Sequence, residues 1–257
     1  MPDVSARLPS LFVGHGEPPL AADPAWTGDL IKWGVAIGKP KAILVVSPHW
    51  ERRPVTLGAT TTVPLRHDFK GFPERYSRAR YPAPGAPELA ARVRELVTAT
   101  GDKVDDFPDR GLDHGAYVPL MFLYPSFDVP ILQITLPAIT PGPVFALGRT
   151  LAPLRDEGIL LIGTGSMTYN PRTGFTPTTP SWATTFDTWA GDALARGDID
   201  ALMAPENAPA FKQAHPRLDH FAPLWFAAGA ADPGGPIHCP ITGFWQGGFS
   251  KRSVQFG

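Results

Sequence analysis

The sequence predicts a single α/β domain, spanning residues 1–257, in which a central, mostly parallel or mixed sheet is flanked by helices. Short apolar runs at 42–47 (AILVVS), 129–136 (VPILQITL) and 159–163 (ILLIG) have the length and composition of buried strands. Stretches with helical spacing lie between them. A chain of 257 residues that is 43% hydrophobic is also long enough to bury one sizeable core.

Three stretches space their apolar residues as one face of a helix, at 89–97, 144–154 and 182–194. The third begins just after Pro180 and Ser181, which is typical of a helix start. Strands that alternate with amphipathic helices indicate a sheet with helices on both faces. The final stretch, 241–256, is interrupted by glycines and partly alternating, so it predicts an antiparallel hairpin at the sheet edge or over the pocket.

Composition excludes several classes of function. With 23 basic and 24 acidic residues and only 18% charged residues, the chain lacks the basic surface of a nucleic-acid binder. Its one cysteine, Cys239, has no internal disulfide partner, which favours a reducing cytoplasm. The apolar run at 11–13 is too short for a signal peptide or a membrane span, so we expect neither export nor membrane attachment.

Histidines follow two of the apolar runs directly. In open α/β sheets the ligand crevice lies beyond the carboxyl ends of the strands. His15 comes just after the run at 11–13, and His49 just after the run at 42–46. A single histidine there is more often a hydrogen-bonded structural residue, but two at equivalent positions make a zinc or iron site a serious alternative.

Further histidines are candidates of different weight. His220 precedes an apolar, helix-like stretch at 221–228 and reaches the sheet only if its segment folds back. His114 lies beside Gly111 and Gly115, which would let the backbone approach a ligand. His67 is expected to line an entrance with Phe69 or to hold a loop. For His215 and His238 a turn or surface position is favoured.

The sequence does not match the motifs of nucleotide-binding proteins, serine hydrolases or cysteine nucleophiles. The segment 163–166 (GTGS) lacks the third glycine and the downstream acidic residue of a dinucleotide site, and it is not the GxSxG elbow of a hydrolase. The sequence contains no GxxxxGK[ST] nucleotide loop. Cys239 has no second thiol and nothing marks it as a nucleophile.

The chain resembles the class III extradiol ring-cleavage dioxygenases, specifically their 4,5-DOPA dioxygenase-like branch, which is related to the protocatechuate 4,5-dioxygenase catalytic subunit. The matching segments run nearly end to end: LFVGHGEPP at 11–19, ILVVSPHWE at 43–51, HDFKGFPERY at 67–76, YPAPGAPELA at 81–90, LDHGAYVPLMFLYP at 112–125, GTGSMTYNPR at 163–172, HPRLDHFAPLWFAAGAA at 215–231 and SVQFG at 253–257.

The resemblance implies that His15, His49 and His220 hold one divalent metal, Fe(II) for catalysis or Zn(II) in the isolated protein. It implies that His114 contacts substrate or assists proton transfer. The expected reaction inserts both atoms of O2 beside a catechol and opens the ring, so the expected partners are a small aromatic substrate and O2. Three protein ligands leave open positions for both, and a nearby acid–base group moves the catecholic proton.

Two positions depart from that family's pattern. Tyr169 stands where a histidine beside the metal is usual, and Glu17 stands where a serine is usual. A phenol, with a pKa of about 10, is a poorer base at neutral pH than an imidazole near about 6.5. Tyr169 could move a proton if its pKa were lowered, ligate the metal as a phenolate, or orient substrate.

Three hypotheses follow. The first is an extradiol-type dioxygenase acting on a small catechol or related phenol, with His114 and Tyr169 as catalytic residues and His67 also contacting substrate. The second is a scaffold that Tyr169 has redirected to other chemistry on an aromatic substrate. The third is a metal-binding protein without catalysis. The expected assembly is a monomer or a small homo-oligomer.

Overall fold

A computed structural model describes residues 7–257. Residues 1–6, part of the N-terminal stretch in which no signal peptide is predicted, lie outside the described residues. The strands are β1 (Ser10–Gly14), β2 (Ala42–Glu51), β3 (Val55–Leu57), β4 (Val104–Asp106), β5 (Ile131–Leu136), β6 (Ile159–Gly165), β7 (Ile237–Ile241), β8 (Phe244–Trp245), β9 (Phe249–Ser250) and β10 (Ser253–Phe256). The helices are α1 (Pro24–Ile37), α2 (Glu74–Ser77), α3 (Pro87–Thr98), α4 (His114–Leu123), α5 (Pro141–Leu151), α6 (Ser181–Ala195), α7 (Ile199–Met203), α8 (Phe211–Ala214) and α9 (Ala222–Ala230).

Eight strands form one mixed sheet in the order β4-β3-β5-β2-β6-β1-β10-β7. The four central strands, β5, β2, β6 and β1, run parallel. Toward the edges, β3 pairs antiparallel with β5, and β10 pairs antiparallel with both β1 and β7. The predicted α/β class with a mostly parallel or mixed sheet is therefore confirmed.

The predicted C-terminal hairpin is present, and it has two parts. Strands β7 and β10 form an antiparallel pair at the edge of the main sheet. Between them, β8 and β9 form a separate two-stranded ribbon. The hairpin begins at Ile237, before the predicted start at 241.

Alternating side chains of the central strands point to two hydrophobic clusters, one on each face of the sheet. On β2, Leu44 and Val46 belong to one cluster and Ile43 and Val45 to the other. The packed pair α5 and α9 covers the first face, and the pair α1 and α4 covers the second. This two-sided burial explains why the strands read as continuous apolar runs.

Sequence periodicity predicted some helices and missed others. Helices α3, α5 and α6 lie where amphipathic spacing predicted them. Helix α4 was not predicted because nearly all its residues are buried, so it has no polar face to give a period. Among the described residues, no helix combines the length and the apolarity needed to cross a membrane.

Candidate metal centre

The ends of β1 and β6 bring two histidine-bearing segments to one place. The backbone N–H of His15, just past β1, donates to the carbonyl of Gly165 at the end of β6, with an N···O distance of 2.7 Å. The N–H of Ser166 donates to the carbonyl of His220 at 2.9 Å. A Cβ on Gly165 would lie 2.1 Å from that carbonyl oxygen, so glycine is required there. The segment carrying His220 therefore folds back onto the sheet, as its predicted role needs.

Three imidazoles converge beyond the strand ends. The ring centroids of His15, His49 and His220 lie 5.2–5.6 Å from one another. One nitrogen from each ring lies within 4.8 Å of the other two. His15 and His220 are buried. His49, near the end of β2, is half-buried. The structure thus brings all three predicted ligands together.

The spacing of these nitrogens fits a shared metal. His15 Nε2 and His49 Nε2 are 3.1 Å apart. Two imidazole nitrogens on one zinc or iron ion lie roughly 3.0–3.4 Å apart, given metal–nitrogen distances of about 2.1 Å. Burial, and then the neighbouring histidines, hold the pKa of both His15 and His49 well below the ordinary value. Both rings are therefore neutral at neutral pH, which is the form that binds metals.

Asp219 fixes the orientation of His220. Its Oδ1 lies 3.1 Å from His220 Nδ1, which leaves Nε2 as the free nitrogen of that ring. Arg217 also donates to the Asp219 carboxylate. Burial raises the pKa of Asp219, but the hydrogen bond and charge of His220 outweigh it and lower the pKa to about 2. An ionised carboxylate behind an imidazole is the usual support of a metal-binding histidine.

A fourth imidazole, His114, stands beside the three. It is the first residue of α4, whose N-terminus is capped by the side chain of Asp113. Its ring centroid is 4.1 Å from that of His49, and its Nδ1 lies 2.8 Å from Asp68 Oδ1. Burial lowers the pKa of His114, but the hydrogen bond and charge of Asp68 raise it above the ordinary value. Asp68 therefore holds the Nδ1 of His114, and the Nε2 of that ring is left without this contact.

Asp68 forms a second cluster with His49 and His114, whose donor atoms also lie within 4.8 Å of one another. Its Oδ1 accepts the backbone N–H and the ring nitrogen of His114, and its Oδ2 lies 3.7 Å from His49 Nδ1. Burial raises the pKa of Asp68, but these histidines hold it well below its usual range. The hydrogen bond between the Asp68 carboxylate and the His114 ring explains why these residues lie together, so the cluster needs no second metal ion.

Glycine lets α4 approach the histidines. A Cβ on Gly115 would lie 2.6 Å from Ser47 Oγ, 2.8 Å from the ring of His49 and 3.1 Å from the ring of His15. The predicted close backbone approach at Gly115 is therefore toward the histidine cluster. At Gly111 the approach is different, because a Cβ there would lie 2.0 Å from the carbonyl oxygen of Pro64.

A buried polar network supports α4 from behind. Gln133, on β5, donates to Asp113 Oδ2 at 2.6 Å and accepts the Asp113 backbone N–H at 3.2 Å. Arg110 donates to the same carboxylate at 3.1 Å and to the carbonyl of His49 at 3.4 Å. The network joins the start of α4 to the strand that carries His49.

Tyr169 stacks on His220, one of the three clustered histidines. The ring centroids are 3.5 Å apart and the planes are inclined by 8°. The Tyr169 hydroxyl donates to Glu17 Oε1 at 3.2 Å. Burial, and then the charge of Glu17, raise the pKa of Tyr169. At neutral pH Tyr169 is therefore a protonated phenol whose proton is directed at Glu17, an arrangement that favours neither a phenolate ligand nor a base.

Aromatic rings lie beside the histidines. Phe69 meets His114 edge-on at 5.6 Å between centroids, and Phe249, in the β8–β9 ribbon, meets Tyr169 at 5.6 Å. The ring centroid of Phe175 lies 5.6 Å from that of Phe249 and 6.5 Å from that of Phe72. The rings of Phe69, Phe72, Phe175, Phe249 and Tyr169 give the histidine cluster aromatic surroundings suited to a flat aromatic ligand.

The remaining histidines lie outside the cluster. His67 contacts the Tyr117 hydroxyl at 3.2 Å and lies against Phe69, one ring away from His114. His238 is exposed on β7, in line with the predicted surface position. For His215 that prediction was wrong: the residue is buried, with its Nε2 2.9 Å from the Met167 carbonyl. The apolar pocket around it has no signature in the local sequence.

Two acidic residues of the site were not predicted as functional. Asp68 lies in a loop and gave no periodic or spacing signal, although it touches two of the clustered histidines. Glu17 stood out only as a departure from the family pattern. Its contact with Tyr169 joins the two departures in space.

Comparisons with known proteins agree with this geometry. Residues 29–239 match the family described as the catalytic LigB subunit of aromatic ring-opening dioxygenase. A 4,5-DOPA dioxygenase extradiol of Beta vulgaris is 41% identical over 96% of this chain and 96% of its own length. One of Escherichia coli K12 is 36% identical over 98% and 96%.

The fold has a solved counterpart. The crystal structure of an uncharacterised Escherichia coli K12 protein superposes with a TM-score of 0.79 and 32% identity, covering 98% of this chain and 100% of that one. The family match includes His49, His114 and His220, and the two relatives cover 96% and 98% of the chain. The chain therefore belongs to the LigB family of class III extradiol dioxygenases and is an oxidoreductase of that type.

Proposed function

We propose that the chain acts as one catalytic domain that holds a single divalent metal at His15, His49 and His220 and opens the ring of a small catechol or related phenol. Both atoms of O2 enter the product as the carbon–carbon bond beside the two hydroxyls breaks. The observation that carries the proposal is the convergence of three imidazole nitrogens within 4.8 Å, one of them backed by the Asp219 carboxylate.

Fe(II) is the working metal in this proposal, because the proposed reaction requires activation of O2. The same imidazoles would also take Zn(II). When bound, the metal supplies activation of O2 and a positive charge that lowers the pKa of catechol hydroxyls. The neutral state of His15 and His49 suits them to ligate it without first losing a proton.

We assign acid–base work to His114. Asp68 holds its Nδ1 at 2.8 Å, so its Nε2 is the nitrogen left to accept a proton from the substrate hydroxyl and to return it later. The hydrogen bond also keeps the ring in one orientation. Asp68 acts here as a positioning residue, because it reaches the substrate only through His114.

We assign Tyr169 to substrate positioning rather than to proton transfer or ligation. Its stacked ring fixes one wall of the site beside His220, and its raised pKa and its bond to Glu17 keep the phenol protonated. These contacts support ring opening with His114 as the acid–base group. No contact of Tyr169 favours a redirected chemistry.

The aromatic rings beside the histidines support a flat, single-ring substrate. Phe69 contacts His114, Phe249 contacts Tyr169, and His67 contacts Phe69, where we propose that it helps shape the entrance. Relatives at 36–41% identity are named for 4,5-DOPA, so DOPA belongs among the catechols to be tried.

Anaerobic reconstitution with Fe(II), followed by O2 uptake measurements against a panel of catechols, tests the proposal. We expect one metal per chain and uptake coupled to a new absorbance of the ring-opened product. His49→Gln should lose both metal and uptake, whereas His238→Gln, on the exposed edge strand, should keep both. Full metal loading with no uptake on any catechol would contradict the proposal.

A further inference from the structure

Glu17 differs from the other carboxylates around the histidines in having no cationic partner. Asp68 is bonded to His114, and Asp219 is bonded to His220 and Arg217. Glu17 Oε1 accepts only the Tyr169 hydroxyl, at 3.2 Å. Among residues 7–257, no ion pair involves Glu17, and its Oε2 has no hydrogen-bond partner. This half-buried carboxylate is therefore free to bind a cation.

The carboxylate of Glu17 faces the same space as the histidines. It lies two residues after His15, and its charge contributes to raising the pKa of His114. The Tyr169 ring that holds it is stacked on His220. Glu17 is therefore separated from His220 by one aromatic ring, that of Tyr169.

We propose that Glu17 is a specificity-determining residue that binds a positively charged ammonium group on the side chain of the catechol. This inference rests on the proposed function, since it assigns the substrate class of the same site. A side-chain carboxylate would be repelled from the same position. Tyr169 acts as a positioning residue, because its hydroxyl fixes the direction of the Glu17 carboxylate.

Basic residues in and around α2 do not cancel this preference. Lys70 precedes α2, Arg75 lies within it and Arg80 follows it, and all three are exposed. Charges in water are screened over about 8–10 Å at ordinary ionic strength. A half-buried carboxylate in direct contact with the substituent interacts more strongly than these side chains do through solvent.

Three catechols that differ mainly in side-chain charge provide the test: dopamine (cationic), 4-methylcatechol (neutral) and 3,4-dihydroxyphenylacetate (anionic). Their dissociation constants are measured by calorimetry on Fe(II)-loaded protein without O2, and 4-methylcatechol turnover is then measured after O2 is admitted. The wild-type protein should bind dopamine at least tenfold more tightly than 3,4-dihydroxyphenylacetate. Glu17→Gln should reduce that ratio about tenfold, because the amide still accepts from Tyr169 but carries no charge.

Two further variants keep the test decisive. Glu17→Ser removes the charge with a smaller side chain, should Glu17→Gln lose metal or fold poorly. Glu88→Gln removes the same charge from an exposed position at the start of α3 and should leave the ratio unchanged. An equal ratio in wild type and both Glu17 variants, with 4-methylcatechol still opened, overturns the inference alone. Failure of every catechol to bind and react overturns the proposed function and the inference with it.

Discussion

The Tyr169 ring lies flat against the His220 imidazole, with 3.5 Å between centroids and 8° between planes. Asp219 holds the Nδ1 of the same imidazole at 3.1 Å. The stack restrains rotation out of the ring plane, and the carboxylate restrains rotation within it. His220 is thereby held in a single orientation, which would lower the entropic cost of ligation if the proposed metal binds there.

Two substitutions of Tyr169 distinguish the effect of its ring from the effect of its hydroxyl. Tyr169→Leu removes the stack, so we expect Zn(II) to bind about tenfold more weakly, in the range typical of lost support around a metal ligand. Tyr169→Phe keeps the stack and should change the affinity less than about threefold. Competition with a chromophoric chelator measures both. Equal affinities in the two variants would mean that the ring does not support His220.

Replacing Asp219 removes the charge behind His220. For Asp219→Asn we expect a loss of about 10- to 100-fold in metal affinity, because the imidazole becomes less basic and less well oriented. Asp29→Asn is the matched control, since the Asp29 side chain lies on α1, is 44% exposed and, among the described residues, pairs only with Lys32. If the two variants bound metal alike, the Asp219–His220 contact would have no role in ligation.

Gly115 should make the proposed metal centre sensitive to a single added methyl group. In Gly115→Ala the new Cβ would lie 2.6 Å from Ser47 Oγ and 2.8 Å from the His49 ring, so that ring or α4 must move. We expect at least a tenfold loss of metal affinity together with a loss of stability of about 1–3 kcal/mol. In α5, Gly142→Ala meets no atom within 4 Å and should change neither. Metal titration and urea unfolding distinguish the two variants.

Much of the fold could be predicted because buried strands appear in the sequence as short apolar runs. The runs at 42–47 and 159–163 became central strands β2 and β6, and a histidine directly after a run identified His15 and His49 correctly as neighbours. The antiparallel edges were harder to predict. Strands β3 and β4 are only three residues long, too short for a period to be recognised.

The site could be predicted only where its residues follow strands. Asp68 reaches His114 from a loop 46 residues earlier, and Glu17 reaches Tyr169 across 152 residues. Neither contact leaves a trace in local spacing, because both depend on how loops pack above the finished sheet. The burial of His215 by Phe186 and Phe221 is hidden for the same reason.

His114 should affect turnover without affecting metal loading. For His114→Gln we expect kcat to fall about 10²- to 10⁴-fold, the usual contribution of a general acid–base group, with Fe(II) content unchanged. His238→Gln, exposed on β7, is the control and should keep the wild-type kcat. Steady-state O2 uptake and metal analysis are run on the same samples. Loss of iron from the variant, or an unchanged kcat, would contradict the assigned role.

His215 should make the protein sensitive to acid. Burial lowers its pKa to about 4, although the hydrogen bond to the Met167 carbonyl opposes the shift. In the unfolded chain the pKa is about 6.5, so between these values the unfolded state binds more protons than the folded state. The contribution of His215 to the free energy of unfolding is therefore greatest above about pH 6.5 and is lost as the pH falls toward 4.

His215→Gln removes this titration while its amide can still donate to the Met167 carbonyl. Between pH 7 and pH 4.5 the wild-type protein should lose about 2 kcal/mol more stability than the variant. Urea unfolding at the two pH values, on metal-free samples of both, measures the difference. His238→Gln should lose as much stability as wild type, because it changes an exposed side chain and leaves His215 in place. Equal losses in wild type and His215→Gln would mean that the buried imidazole accepts its proton without disturbing the fold around Phe186 and Phe221.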